Sequence, residues 1–331
     1  MILPTGKLPP ELLDELLRRY ATPDPRLHVG PRSGEDAAVI DFCPGAGPDG
    51  RLLVAKTDPI TFATDEIGWY VVNVNANDVA TMGAQPRWFM ATVLLPAGRT
   101  TPALVEQIFA QMHAACTQLG ISMAGGHTEV TYGLERPMVC GTLLGEVAPA
   151  DLVTTAGAQI GDRVYFLRTA PIEGIALIAR EKEADLVQRG VDAAVIRRAQ
   201  GFLHTPGISI VATARVVCAA LHPHCMHDPT EGGVVTGLWE IARAAGVGMR
   251  VDLRQVPIPE EGRLLCDLYG LDPLGTIASG GLLLTVAAAD EAQLVTACQR
   301  EDIPATCLGH TVAAADGIME TGEGGIWRPL R

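Results

Sequence analysis

Apolar residues recur at helical spacing in three stretches of the first third of the chain. Pro9-Pro10 and the leucines that follow them three or four positions apart predict a short amphipathic helix with proline in its first turn. A second helix is predicted from Thr64, a candidate N-cap followed by two acidic residues, to a stop at Gly83. The spacing predicts a third helix over residues 101–119.

Short apolar runs lie between these helical patterns and predict strands. Five of them fall in the first half of the chain, at 37–41, 52–57, 93–95, 121–124 and 138–146. The glycine- and proline-rich residues 44–50 predict a surface loop between the first two strands. A small, polar, glycine-containing stretch at 149–161 then predicts a domain boundary. We therefore predict an N-terminal domain over 1–152 and a C-terminal domain over 153–331.

The second half repeats the mixture of helix and strand patterns. Helices are predicted at 173–189, 207–221 and 290–301, and from the turn at 228–233 to about Ala245. Strands are predicted at 164–167, 248–253 and 282–286. The resulting fold class is α+β, built from two α/β-type domains.

Composition and charge narrow the function classes. The 331 residues include 25 Lys+Arg against 38 Asp+Glu, a formal charge of −13, which argues against a nucleic-acid partner. No run of twenty apolar residues and no signal-like start is present, so we expect a cytoplasmic protein without a membrane partner. The eight cysteines form no CxxC pair and are expected to be small buried hydrophobes rather than disulfides.

Three candidate motifs are rejected because the surrounding sequence does not fit them. The GxGxxG match at 45–50 runs into a strand, whereas a dinucleotide fingerprint must open a helix. Cysteines and histidines between Cys218 and His227 fit no standard zinc spacing and predict a helix end and turn. The chain contains no GxxxxGK[ST], so it is not a P-loop enzyme.

Carboxylates and glycines in the first 130 residues suit polyphosphate chemistry, which needs oxygen ligands for magnesium and bare backbone near phosphate. Asp36, Asp58 and Asp78 are candidate magnesium ligands from separate segments. Asp78 falls on a mostly apolar face of its predicted helix, where an isolated carboxylate needs a cation or donors as partner. A structural cap or hydrogen bond explains the position of Asp78 about equally well.

Two glycine pairs are candidates for contacting phosphate. Gly125-Gly126 follows a predicted strand, where a turn can expose backbone N–H groups to an anion. The 228–233 segment leads into a helix whose N-terminus favours an anion. An ordinary strand-ending turn and a helix cap are the alternatives at these two places.

Five ordered segments resemble the superfamily that contains aminoimidazole ribonucleotide (AIR) synthase, thiamine-monophosphate kinase, selenide water dikinase and the hydrogenase maturation factor HypE. The matching segments are 33–40 (SGEDAAVI), 56–58 (KTD), 75–84 (NANDVATMGA), 125–129 (GGHTE) and 228–233 (DPTEGG). The resemblance implies a PurM-like N-terminal domain that forms a homodimer and a PurM-like C-terminal domain that covers the cleft. It also implies ATP and Mg²⁺ as cofactors.

The resemblance assigns roles to individual positions. Asp36, Asp58 and Asp78 fall on the metal and phosphate positions, and Asp78, His127 and Glu129 are the candidate catalytic residues. The candidate nucleotide-binding residues are Lys7, Lys56, Asn75, Gly125, Gly126, Thr128, Asp228, Gly232 and Gly233. His127 resembles the selenide dikinase branch, whereas other branches carry an acidic residue there, a role that Glu129 could take.

The turn at 228–233 resembles the HypE branch, whose members phosphorylate a carbamoyl oxygen on a C-terminal cysteine and then eliminate phosphate. Here the last cysteine is Cys307, and the printed sequence ends without that carrier. We expect an ATP-dependent enzyme that phosphorylates an oxygen of a small, possibly carbamoyl, substrate, with a maturation protein as a possible partner. The alternatives are a small-molecule kinase resembling thiamine-monophosphate kinase and a non-catalytic nucleotide-binding partner of a maturation complex.

Overall fold

The computed structural model describes residues 3, 7–45, 50–63, 65–322 and 326–330. Its N-terminal half contains three helices, α1 (Pro10–Tyr20), α2 (Ile67–Thr81) and α3 (Pro102–Leu119). The strands of this half are β1 (Leu27–Val29), β2 (Ala38–Ile40), β3 (Leu52–Ile60), β4 (Gln85–Pro96), β5 (Ser122–Thr131) and β6 (Met138–Val147). The three predicted helices and five predicted strands of this half are confirmed, with β3, β4 and β5 longer than predicted.

These strands form one six-stranded sheet in the order β1-β2-β3-β6-β4-β5. Helix α2 packs closely on β6 because two glycines of the strand remove side chains from the contact. A Cβ on Gly141 would lie 2.5 Å from Asn75 Nδ2, and one on Gly145 would lie 2.4 Å from Val79 Cγ1. The sheet therefore holds α2 and its polar side chains at a fixed height above β3 and β6.

Helix α2 is buried on nearly all sides, so the mostly apolar face predicted to carry Asp78 is not its only buried face. Every residue of Ile67–Thr81 except Trp69 is buried. The sheet covers one side of the helix, α3 packs beside it, and the second domain covers the remaining side, where the first core cluster extends to Ile172 and Ile208. The helix follows Glu66, which has a left-handed φ of 58° and no capping side chain; the predicted cap Thr64 lies outside the described residues.

The C-terminal half adds seven helices and a second sheet among the described residues. Its helices are α4 (Ile172–Glu181), α5 (Glu183–Gln188), α6 (Ala193–Gly201), α7 (Val211–Ala220), α8 (Gly233–Ala245), α9 (Glu260–Tyr269) and α10 (Glu291–Arg300). Its strands are β7 (Arg163–Leu167), β8 (Cys225–His227), β9 (Val247–Val251), β10 (Leu282–Val286), β11 (Ala305–Ala313), β12 (Ile318–Thr321) and β13 (Trp327–Pro329). The sheet order is β13-β12-β9-β11-β7-β10-β8.

The two-domain α+β fold is therefore confirmed, although several elements of this half differ from the prediction. The single helix predicted at 173–189 is two helices, α4 and α5, and the one predicted at 207–221 begins only at Val211. Helices α6 and α9 were not predicted. The boundary between 152 and 153 stays a prediction.

One helical stretch, Ala193–Ala220, is long and apolar enough by length and composition to cross a membrane. It is interrupted at Thr205, whose φ of −141° and ψ of 109° are not helical, so α6 and α7 are separate helices. Only a third of its most apolar window is buried.

The cysteines are all free thiols, as expected, but not all are buried. Four are buried, two are partly buried, and Cys43 and Cys307 are exposed. Residues 46–49 of the GxGxxG match lie outside the described residues, and the strand expected after that loop is present as β3.

Candidate functional site

An ion pair between a partly buried lysine and a buried aspartate joins the first sheet to α2. Lys56 and Asp58 lie on β3, and Lys56 Nζ is 2.7 Å from Asp78 Oδ2 on α2 and 3.4 Å from Asp58 Oδ2. Burial alone would lower the pKa of Lys56, but Asp78 and Asp58 outweigh it and raise that pKa. Burial raises the pKa of Asp78 to about 7 against the opposing effect of Lys56. Asp78 therefore has the cationic partner that its position requires.

Asn75 lies one turn before Asp78 on α2 and fixes the end of β3. Its Nδ2 donates to the Asp58 backbone carbonyl at 3.3 Å and to the Val71 carbonyl at 2.8 Å. Its Oδ1 is buried without a hydrogen-bond partner among the described residues. An acceptor oxygen is thus left free beside the Lys56–Asp78 pair.

A second cation joins the N-terminal segment to the second domain. His227 ends β8, and its Nδ1 is 2.7 Å from Asp36 Oδ1 while its Nε2 is 2.9 Å from Glu240 Oε2 on α8. Burial would lower the pKa of His227, but the Asp36 and Glu240 carboxylates raise it well above its usual value. Lys7 adds a cation at the rim, 3.5 Å from Glu240 Oε1 and 3.3 Å from Glu231 Oε2.

Asp228 and Asn77 connect the two domains at the centre of the same region. Asn77 Nδ2 donates to Asp228 Oδ2 and to the Ile208 carbonyl, both at 2.9 Å, and its Oδ1 accepts from Ile210 N at 2.8 Å. Asp228 Oδ1 is buried without a partner among the described residues. Burial, with Asp78 nearby, raises the pKa of Asp228 well above its usual value.

A further buried carboxylate, Glu173, lies in the first turn of α4. It is fully buried, and neither of its oxygens makes a hydrogen bond to a described residue. Burial raises its pKa to about 7, opposed by the neighbouring Ser279 and reinforced by Glu231. Carboxylates thus outnumber the cations around the interdomain cleft.

Seven of the residues singled out in the sequence lie around this cleft. They come from a strand, a helix and the loops of both domains: Lys7, Asp36, Lys56, Asp58, Asn75, Asp78 and Asp228. Gly232 and Gly233 join them at the start of α8, where both have positive φ. A Cβ on Gly233 would lie 2.4 Å from the Leu274 carbonyl oxygen, so this turn admits only glycine without movement.

The residues of β5 lie elsewhere, which corrects the predicted glycine turn. Gly125 and Gly126 are inside the strand, with φ of 153° and 145°, and a Cβ on Gly126 would meet the Ala91 carbonyl oxygen at 2.0 Å. β5 is the exposed edge of the sheet, three strand spacings or about 14 Å from β3. Thr128, His127 and Glu129 share this edge, where His127 Nε2 is 3.1 Å from Glu129 Oε2. Within one chain they do not reach the cleft.

Asp36, Asp58 and Asp78 do not form a three-carboxylate metal cluster as they stand. No group of three His, Cys, Asp or Glu side chains in the described part of the chain is arranged to hold a metal ion. Asp36 faces His227, and Asp78 faces Lys56, so the cations of the protein occupy part of their coordination.

Four residues of the cleft were not identified as site residues from the sequence. His227 was considered only within an unlikely zinc cluster, and Asn77 only as a neighbour of Asp78. Glu173 and Glu240 carry no local motif, since a glutamate near a helix start or on a helix face is ordinary. A signal existed only for His227, which directly precedes the Asp228 turn.

Family comparisons cover both domains. The family described as AIR synthase related protein, N-terminal domain, matches residues 34–147, and AIR synthase related protein, C-terminal domain, matches residues 159–321. Carbamoyl dehydratase HypE of Cupriavidus necator is 31% identical over 299 residues, which cover 88% of this chain and 79% of the relative.

Solved structures share the fold over nearly the whole chain. A HypE–HypF complex superposes with a TM-score of 0.74 at 20% identity, covering 96% of this chain and 99% of the other. The hydrogenase maturation protein HypE in complex with ATP superposes with a TM-score of 0.66 at 23% identity, covering 99% and 95%. At these identities the structures establish a common fold.

Proposed function

The chain belongs to the AIR synthase related protein family, and from this premise we propose that it is an ATP- and magnesium-dependent enzyme of the HypE kind. It would transfer the γ-phosphoryl group to an oxygen of a small substrate, with a carbamoyl or amide group as the leading class. The observation that carries this proposal is the ion pair of Lys56 with the buried Asp78, which lies with Asp58, Asp36 and Asp228 where both family domains meet.

Oxygen atoms in the cleft are suited to bind a magnesium ion. Mg²⁺ prefers oxygen ligands and keeps several waters, so it needs few protein atoms. Asp36 Oδ2 and Asp228 Oδ1 are buried oxygens without a partner among the described residues, as is Asn75 Oδ1. We propose that Asp36, Asp58 and Asp78 hold the ion with Asp228 beside them. The bound ion would neutralise phosphate charge.

The protein's own groups would do the positioning that phosphoryl transfer requires. Lys56 would pair with a phosphate oxygen, because its ammonium has three N–H donors, one more than its contacts with Asp58 and Asp78 require. Gly232 and Gly233 begin the 13-residue helix α8, whose N-terminus favours an anion. The relative named carbamoyl dehydratase HypE and the HypE structure with ATP support this assignment.

We further propose that a second copy of the chain covers the open face of the first sheet. Alternate residues of β6, including Cys140 and Leu144, are only partly buried there, and the same face carries His127 and Glu129 through their pairing with Thr92 and Leu94. A homodimer would bury this mixed face and the edge strand β5. It would also explain why His127, Thr128 and Glu129 lie far from the cleft of their own chain.

A maturation protein is a second proposed partner. The support is the HypE–HypF complex among the structures that share this fold. With or without such a partner, we expect a small-molecule substrate, because the cleft is narrow and buried.

Thermal unfolding with and without Mg-ATP tests the proposal. At a nucleotide concentration about 100 times the dissociation constant, binding stabilises the folded state by about 2.7 kcal/mol. We expect the wild-type midpoint to rise by several degrees. Asp78→Asn should lose this rise, whereas Asp267→Asn, the same change at an exposed position of α9, should keep it. A wild type that Mg-ATP does not protect would refute the proposal.

Turnover assays then separate the reaction types. With radiolabelled ATP, a carbamoyl-activating enzyme releases inorganic phosphate, a kinase leaves the label on its acceptor, and a non-catalytic partner does neither. The proposed function requires phosphate release that depends on an added amide or carbamoyl compound. Label that stays on a phosphorylated product would favour the kinase alternative.

A further inference from the structure

Glu173 is the most conspicuous unsatisfied group of the described chain. Its side chain is fully buried, and both carboxylate oxygens lack a hydrogen-bond partner among the described residues. Its place in the first turn of α4 gives it a favourable interaction with the helix N-terminus. That interaction does not replace the hydrogen bonds that a buried carboxylate loses on leaving water. The Ser279 hydroxyl and N–H lie close enough to lower the pKa of Glu173, but neither completes a hydrogen bond to it, so the carboxylate can accept further donors.

The carboxylate lines a narrow cavity between the two domains. Asp58, Phe62 and Val74 come from the first domain, and Thr230 and Ser279 from the second; the remaining lining residues are Pro59, Ile60, Glu173, Glu231 and Ile277. The cavity has room for about one water molecule in this structure. Only a head group about the size of a water molecule fits there, and half of the ten lining residues offer it polar contacts.

Acceptors in this cavity outnumber donors. Asp58 pairs with Lys56 at 3.4 Å, and Glu231 pairs with Lys7 at 3.3 Å, so two of the three carboxylates have a cation. Glu173 has no cationic partner in the described part of the chain, and the neighbouring Ser279 Oγ is also buried without a hydrogen bond. The unpaired carboxylate of Glu173 would repel a phosphate, so the phosphoryl group of a nucleotide does not belong here.

We propose that this cavity is the subsite for an N–H-donating head of the acceptor substrate, a primary amide or a protonated amine, and that Glu173 accepts its hydrogen bonds. Asp58 lines the cavity and also pairs with Lys56, so the head group would lie next to the proposed phosphoryl-transfer site. The inference rests on the proposed function, and it names the chemical class of the acceptor. Glu173 would select substrates by whether they carry N–H donors.

A matched set of small probes tests the subsite. Ligand-observed NMR titrations measure the dissociation constants of acetamide and methylammonium against their methylated counterparts, N,N-dimethylacetamide and tetramethylammonium. We expect the wild type to bind at least one N–H-bearing probe about tenfold or more tightly than its counterpart, the size of a hydrogen bond to a charged group. The acetamide and methylammonium arms distinguish an amide from an amine head.

Three variants connect the preference to Glu173. Glu173→Gln keeps the shape but removes the charge, and should weaken methylammonium binding at least tenfold. Glu173→Asp keeps the charge but withdraws it by one methylene, and should weaken both probes. Glu183→Gln makes the same chemical change at an exposed position of α5 and should match the wild type. Circular dichroism and urea unfolding verify that each variant is folded.

The proposal is overturned if the wild type binds neither N–H probe, if it binds methylated and unmethylated probes equally, or if Glu173→Gln retains the wild-type preference. The titrations are run with and without Mg-ATP, and thermal protection by Mg-ATP is recorded on the same samples. Loss of nucleotide protection in the wild type counts against the proposed function. The probe preference without nucleotide reports on the subsite alone.

Discussion

Replacing Glu173 with glutamine should remove a pH-dependent destabilisation of the fold. Burial raises the pKa of this carboxyl from its ordinary value of 4.5 to about 7. Between these two values the folded state holds a proton that the unfolded chain releases, so the stability contributed by this group falls as pH rises. Above pH 7 the group is ionised in both states, and the penalty is constant.

The size of the effect follows from the shift. Each pKa unit corresponds to 1.36 kcal/mol, so a rise from 4.5 to about 7 amounts to roughly 3 kcal/mol at full ionisation. At pH 5 most of this penalty is absent, because the folded carboxyl is protonated and the unfolded one only partly ionised. From pH 5 to pH 8 the wild type should therefore lose about 2 to 3 kcal/mol relative to Glu173→Gln.

Urea unfolding of both proteins at several pH values between 5 and 8 measures this difference. The comparison isolates Glu173, because Asp78, whose pKa is also raised to about 7, titrates in both proteins. Glu183→Gln serves as the exposed control and should run parallel to the wild type. If the difference between wild type and Glu173→Gln stays constant across this range, Glu173 is not the desolvated acid that the structure places in α4.

Three other substitutions test the buried contacts of the cleft. Lys56→Met should destabilise the fold by about 3 to 5 kcal/mol in urea unfolding, because Asp78 is left buried without its cation. If the effects of Lys56→Met and Asp78→Asn on the free energy of unfolding are additive in the double variant, the two residues are not coupled. Asn77→Ala should lower the free energy of unfolding by about 2 to 4 kcal/mol, since it removes three interdomain hydrogen bonds and leaves their partners unpaired. A decrease below about 1 kcal/mol would contradict that role. His227 has a raised pKa, so its stabilisation is fully present below the unfolded value near 6.5 and is lost as pH rises through the folded value. The stability difference between wild type and His227→Gln should accordingly shrink as pH rises above neutral, and a constant difference between pH 6 and pH 9 would refute the buried imidazolium.

The helices and strands with strong local patterns were predictable from the sequence. Helix α3 was predicted within a residue, because Thr101 caps it and Gly120 ends it in the left-handed conformation. Strand β10 was predicted at both ends, since its five residues, four of them apolar, are all buried in a strand that lies between β7 and β8. Failures came at short helices: α6 and α9 have only nine and ten residues. The break at Thr205 does carry a local signal, because Pro206 disfavours helical backbone at the residue before it.

The cleft was predictable only as a set of residue types. Asp78 needed a partner because a carboxylate on an apolar helix is costly, but the choice of Lys56 depends on β3 lying under α2. Asp36 was expected to bind metal, yet β8 brings His227 against it from about 190 positions further along the chain. No spacing rule connects residues so far apart.

The sequence by itself determined the family, the two-domain α+β class and the mixture of carboxylates and glycines suited to nucleotide chemistry, because these depend on local pattern and on motifs read in order. Only the tertiary structure decided which charged side chains contact each other. The sheet order put Gly125 and Gly126 on an edge strand about 14 Å from β3, away from the cleft. The closure of the second domain over α2 buried Glu173 without a partner. Both outcomes depend on how strands and domains pack, since burial and charge contacts are properties of neighbours in space.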